Sequence, residues 1–173
     1  IQLYEVLIAM SFQNQFTKTT TDANLMETVH HGSAEYPFRY YYENIALFDF
    51  KCIDWHWHSE LEFIYIESGN VVFDIGTVHF ELNEGNGIMI NSKILHRLQS
   101  SSDAIIPNFL FQPSFIAPQD SLIYKKYINP VISSSLEYLV FQPDIPWQKK
   151  ALEIIKTIIT VQETEFNREI IVS

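Results

Sequence analysis

The sequence predicts a mainly β protein, a small antiparallel barrel followed by helices. Three observations carry that prediction. Between Ile45 and about Phe115, short runs rich in Val, Ile, Phe and Tyr alternate with clusters of turn residues. Inside this region lies His56-Trp57-His58-Ser59-Glu60-Leu61-Glu62, an H-x-H-x3-E pattern, with Gly69 beyond it and His96 one hairpin further on. That spacing suits strands folded around an internal pocket. After Pro146 the apolar period changes to that of a helix.

Each element has its own justification. Residues 28 to 44 hold Tyr36, Phe38, Tyr40, Tyr41 and Tyr42 around Pro37 and read as an extended arm lying over an apolar surface. Ile1 to Phe16 reads as a short amphipathic helix, broken by the polar Thr17 to Thr21. The strand breaks fall at Glu67-Ser68-Gly69-Asn70, Gly76-Thr77, Asn83 to Gly87, Asn91-Ser92 and Ser100 to Asp103. Val78, Phe80 and Leu82 alternate with His79 and Glu81, which predicts one buried and one wet face. Pro113 and Pro118 close the strand region, and a short helix over 121–129 ends before Pro130. The next helix has Asp144 for a cap and Pro146 in its first turn. Its stripe Ile154, Ile155, Ile158, Ile159 and Gln162 follows i, i+3, i+4 spacing. The chain stops inside another apolar segment, 167–173, as a fragment of a longer protein would. The expected organisation is an arm over 1–44, a barrel over 45–118 and a helical segment over 119–173.

Composition narrows the function classes. With 47% hydrophobic and 14% aromatic residues, the 173-residue chain supports a folded core. Its net charge is −10, and its 11 Lys and Arg are scattered. Such a surface repels a phosphate backbone, which argues against DNA contact by this polypeptide. The one cysteine, Cys52, excludes a disulfide framework; it fits a reducing cytoplasm and reads as a buried structural thiol. No apolar run approaches the ~18 residues of a membrane span.

The chain resembles the cupin superfamily and, more closely, the N-terminal sensor domain of AraC-type bacterial transcription regulators. The resemblance rests on Trp55 to Tyr65, on Gly85-Asn86-Gly87-Ile88-Met89-Ile90-Asn91-Ser92 and on Leu95-His96. It continues through Phe111 to Phe115, Ile123 to Ile128 and Pro146-Trp147-Gln148, and covers roughly residues 28 to 173. Asn86 and Ser92 depart from the Asp and Pro common at these cupin turns. The resemblance implies a cupin-like barrel (a double-stranded β-helix, or jelly roll) that binds a small effector. It also implies helices that form a homodimer, and a separate helix-turn-helix domain, absent here, that binds DNA.

His56, His58, Glu62 and His96 stand at the cupin ligand positions. Three imidazoles and a carboxylate suit Zn, Ni, Fe or Mn. The same residues could also form a dry hydrogen-bonded cluster, or bind an effector without metal. Trp55 and Trp57 alternate with the two histidines and are expected on the other face, in packing or a subunit contact. His79 and the pair His30-His31 read as surface residues. If the arm folds over the barrel mouth, Tyr40 or Tyr42 would close the pocket. The isoleucine stripe can pack on its own barrel or pair with a second subunit, and the resemblance favours the subunit seam.

The leading expectation is therefore an effector-sensing and dimerisation domain, not an enzyme, taking a sugar-like or other small polar molecule. The alternative is a small cupin metalloenzyme, a dioxygenase or sugar isomerase. A barrel that only dimerises is the third option.

Overall fold

The computed structural model describes residues 17–164. The expected helix over 1–16 and the apolar segment over 167–173 lie outside the described residues. Nine strands form two antiparallel sheets. They are β1 (Phe38–Asn44), β2 (Cys52–His56), β3 (Leu61–Tyr65), β4 (Asn70–Ile75), β5 (Val78–Asn83), β6 (Gly87–Ile90), β7 (His96–Gln99), β8 (Ile105–Phe111) and β9 (Tyr138–Phe141). One sheet has the order β1-β8-β3-β6-β9 and the other β2-β7-β4-β5. From β2 to β8 the chain crosses repeatedly between them, so residues far apart in sequence face one interior.

The turn residues set these boundaries as the sequence predicts. Gly69 shows why: it sits at φ +82, and a Cβ there would lie 2.5 Å from Asp103 O. Only glycine meets both demands at that turn. The inward side chains of the two sheets then form one core, with Ile64, Ile66, Val71, Phe73, Ile75, Ile88 and Ile90 all fully buried.

A second apolar cluster covers the outer face of the five-stranded sheet. Phe38, Leu61, Met89, Phe109, Phe111 and Phe141 pack there against Leu152, Ile155 and Ile159 of helix α2, Pro146–Thr164. Gly87 lets the helix approach, since a Cβ would meet Leu152 Cδ2 at 2.8 Å. The isoleucine stripe is thus divided. Ile155 and Ile159 are spent on their own sheet and Ile158 packs at its margin. Gln162 is also buried, while Ile154 is 55% exposed. A seam made of the whole stripe is therefore corrected: of its five residues only Ile154 faces outward.

The expected boundaries also change. β1 falls within the expected arm, yet it pairs with β8 along its length, from Phe38↔Phe111 to Asn44↔Ile105. β9, beyond the prolines, adds to the edge at β6. The helix expected to stop before Pro130 continues instead. A wide π-type turn, Tyr124–Ile128, leads into α1, Asn129–Ile132. Pro130 follows directly on the wide turn, in which the Asn129 N–H donates to Tyr124 O. Val78, expected on the buried face of β5, is 41% exposed at the strand's start.

Candidate metal and ligand site

The barrel interior gathers the histidines. Strand β2 carries an irregularity between Ile53 and His56, after which His56 pairs with His96 across the sheet. This places His56 and His96 side by side, with ring centroids 4.2 Å apart. His58 lies just past the end of β2, and its ring stands edge-on to His96 at 5.2 Å. Glu62 enters from β3. All four are at least nine-tenths buried.

The hydrogen-bond pattern fixes where the lone pairs point. His56 Nδ1 donates to Asp54 O (2.7 Å), and His96 Nδ1 donates to Ile94 O (2.9 Å). A carbonyl can only accept, so in the neutral ring each Nδ1 carries the proton and each Nε2 is left with a bare lone pair. His96 Nε2 stands 3.2 Å from Glu62 Oε2 without hydrogen-bond alignment, and His58 Nε2 stands 3.3 Å from the same oxygen. His58 Nδ1 is also buried without a hydrogen-bond partner; Glu60 Oε2 is 3.7 Å away. Gln112 Nε2 holds the other Glu60 oxygen at 2.6 Å.

A lone pair facing a carboxylate oxygen at 3.2 Å is repulsive unless a cation lies between them. A proton or a metal ion meets that need. One ligand atom from each of His56, His58 and His96 can be chosen within 4.8 Å of one another, and among the described residues they form a group able to hold a metal. Imidazole nitrogens on a tetrahedral zinc lie about 3.3 Å apart, so small side-chain rotations would close the set. Backbone carbonyls anchoring Nδ1 are the supports metal-bound histidines use. The donor set therefore fits a divalent ion of the Zn, Ni, Fe or Mn group.

Burial and mutual charge shape protonation here. Burial, reinforced by nearby His96, lowers His56 to about 3. Burial would raise Glu62, but the bond with His58 and the closeness of both imidazoles, His58 and His96, outweigh it and hold the carboxyl well below the usual range. At neutral pH the cluster thus presents a neutral His56 and an ionised Glu62, the states a metal requires.

The arm contributes more than the sequence suggested. Its backbone clasps the histidine segment: Trp57 N–H donates to Leu25 O, Glu27 N–H donates to Trp57 O, and Trp57 Nε1 donates to Asn24 O. Trp57 is thus the arm's anchor, while His79, as expected, is exposed, paired with Asp74. His31, expected at the surface, is buried. Its Nε2 donates to Glu27 Oε2 at 2.9 Å, its Nδ1 accepts from Tyr41 at 2.9 Å, and its ring lies 5.6 Å from that of His58. Burial lowers the His31 pKa, but Glu27 more than restores it, so the net shift is upward.

A cavity opens beside the cluster. Glu27, His31, Tyr41, Glu43 and Asn108 lie among its polar residues, His56 and Glu62 join it to the cluster, and Ile53, Leu98 and Ile106 lie among its apolar residues. Tyr40 and Tyr42 do not line it. They flank Tyr41 on β1, where alternation turns them to the opposite face, and Tyr40 packs in the outer cluster. Pocket closure by either is corrected to Tyr41. Glu43 and Asn108 carry no sequence signal of a shared site. They meet because β1 and β8 are neighbours, and Asn108 Nδ2 donates to Glu43 Oε2 at 2.7 Å.

A two-sheet antiparallel barrel with inward histidines and an adjoining cavity defines a cupin-like ligand-binding domain. Residues 48–119 match the model of the AraC-like ligand binding domain. The chain is also similar to the uncharacterized HTH-type transcriptional regulator YdeC of Bacillus subtilis strain 168, at 32% identity over 140 residues. That match takes in 79% of this chain but 47% of the relative, so the chain spans about half the relative's length. Among solved structures, a cupin 2 conserved barrel domain protein from Salinispora arenicola aligns with TM-score 0.41 at 13% identity, covering 51% of this chain and 71% of that one. A cupin-2 domain protein from Shewanella frigidimarina aligns with TM-score 0.40 at 13% identity, covering 60% and 89%.

Proposed function

We propose that this chain is the effector-sensing domain of an AraC-type transcription regulator. On this reading a divalent metal sits on His56, His58, Glu62 and His96, and a small polar effector enters the cavity beside it. The chain forms a homodimer, and DNA is read by a helix-turn-helix domain beyond this sequence. The metal would supply the positive charge that the bare imidazole nitrogens and the Glu62 carboxylate share. The protein's own part is to orient the imidazoles through Asp54 O and Ile94 O and to shield the site with the arm. The observation that carries the reading is the convergence of three buried imidazoles on one ionised carboxylate inside an AraC-like ligand-binding barrel. The HTH-type relative and the acidic charge of −10 both support a sensor that leaves DNA to another domain.

A metalloenzyme would use the same donors. The regulator reading is preferred because the similarity to an HTH-type regulator extends over 79% of the chain. The test is elemental analysis of protein purified without a metal-affinity tag, beside His58→Ala. The expected result is about one metal per chain, lost in the variant. No metal in either protein would remove the metal from the proposal and leave the four residues as a hydrogen-bonding wall.

A further inference from the structure

The cavity wall has an imbalance of hydrogen-bonding character. Asn108 is 1% exposed, and both of its amide hydrogens are spent, one on Glu43 Oε2 at 2.7 Å and one on Ile106 O at 3.1 Å. Two acceptors thus fix the amide's orientation and leave its Oδ1 without a donor among the described residues. Glu43 receives only that one hydrogen bond and has no ion-pair partner among the described residues. The Tyr41 hydroxyl is engaged with His31 Nδ1, and His31 Nε2 with Glu27. What this wall still offers is acceptor oxygen. Its one lone cation, Lys18, lies exposed at the mouth.

Glu43 is half-buried, and a carboxyl drawn out of water without a counter-ion is costly when ionised. Burial accordingly pushes Glu43 up to about 8, against the bond from Asn108 that lowers it. A cation delivered to this spot would recover an ion pair in a partly dry setting, together with hydrogen bonds to two waiting acceptors. An anion would meet the Glu27 carboxylate and the lone pairs of Glu43 and Asn108 Oδ1. A neutral alcohol would fill the acceptors but gain no charge pairing.

We propose that the cavity recognises a small organic ammonium ion. Its N–H groups lie between Glu43 and Asn108 Oδ1, and its short alkyl part rests on Ile53, Leu98 and Ile106. The room open to the centres of water-sized molecules is about 40 Å³. At roughly 10–15 Å³ per water this admits only a few heavy atoms. The inference deepens the effector-binding reading and rests on it.

The experiment is calorimetric titration of the purified protein with n-propylammonium, n-propanol and propionate, three probes of matched size and different charge. Propylammonium is expected to bind about tenfold more tightly than either other probe, and about tenfold more weakly to Glu43→Gln and to Asn108→Leu. Far-UV circular dichroism and the thermal midpoint confirm that each variant is folded. His79→Gln, on the exposed side of β5 and outside the cavity lining, is expected to keep propylammonium binding. Equal or tighter binding of propanol or propionate overturns the ammonium assignment while leaving an effector cavity in place. Unchanged binding to Glu43→Gln overturns it as well. Failure of all three probes overturns both the assignment and the cavity as an effector site, whereas the metal analysis stands or falls on its own result.

Discussion

Glu43 couples the cavity to pH. In the unfolded chain its carboxyl titrates near 4.5, and in the fold near 8. Between those values the folded state holds a proton that the unfolded state has lost, so its contribution to stability falls as pH rises through the window. His56 acts in the opposite sense. Its folded value near 3 lies below the ordinary 6.5, so its contribution is present above 6.5 and is lost as pH falls toward 3. Between pH 6.5 and 8 both Glu43 and His31, whose folded value Glu27 raises, lose stabilisation as pH rises, so the Glu43 share is read against Glu43→Gln. Denaturant unfolding of chelator-treated protein is expected to show wild type losing on the order of 2 kcal/mol over that range relative to Glu43→Gln. Parallel pH profiles of the two proteins would show that Glu43 is ionised at neutral pH. His31 shows why some of the site escaped sequence reading. Its partners, Glu27 and Tyr41, lie four residues before it and ten after it, and the pair Glu27–His31 has the look of a solvated arm. Nothing in that spacing announces that the arm crosses the mouth of the barrel.

At the level of elements, helix α2 shows how one periodic stripe serves two surroundings. Ile155 is 3% exposed against the outer aromatic cluster, and Ile154, its neighbour, is 55% exposed. Ile155→Ala is expected to cost about 2–4 kcal/mol through lost burial and the cavity left behind, while Ile154→Ala costs less than about 0.5 kcal/mol in the isolated subunit. Urea unfolding at low protein concentration separates the two. A large loss for Ile154 and none for Ile155 would reverse the assignment of helix faces. The strands from β3 to β8 were legible because their turns use residues with a stated job. Gly69 supplies a positive φ, and Asn86 supplies a side-chain acceptor for Asn83 N–H. The two edge strands of the larger sheet were not. β1 is a run of aromatic residues with apolar side chains on both faces, so alternation gives no signal. β9 follows a helical excursion that breaks the strand pattern. The histidine cluster was legible because H-x-H-x3-E is a local spacing. The Glu43–Asn108 pair was not, because it exists only through the pairing of β1 with β8.

On the scale of the molecule, the acidic charge of −10 and the placement of α2 bear on assembly. The proposed homodimer must use the outward edge of α2 and not the face that Ile155 and Ile159 fill. Sedimentation velocity is expected to show a dimer that Ile154→Glu shifts toward monomer without lowering the thermal midpoint of the subunit. A monomer at all concentrations in the wild type would remove dimerisation from the proposal.

Trp57 carries a consequence of a different kind. Its indole sits between two proposed ligand residues in the chain, and Asn24 O accepts its Nε1–H at 2.9 Å. Trp147 lies elsewhere, against Phe141 at 6.4 Å and 56% exposed. The molecule thus holds two emitters at the histidine segment, Trp55 and Trp57, and a third remote from it, all native. Occupancy of the barrel can be followed by tryptophan fluorescence without a label, and a Trp147→Phe background sharpens the contribution of the tryptophans beside the histidines.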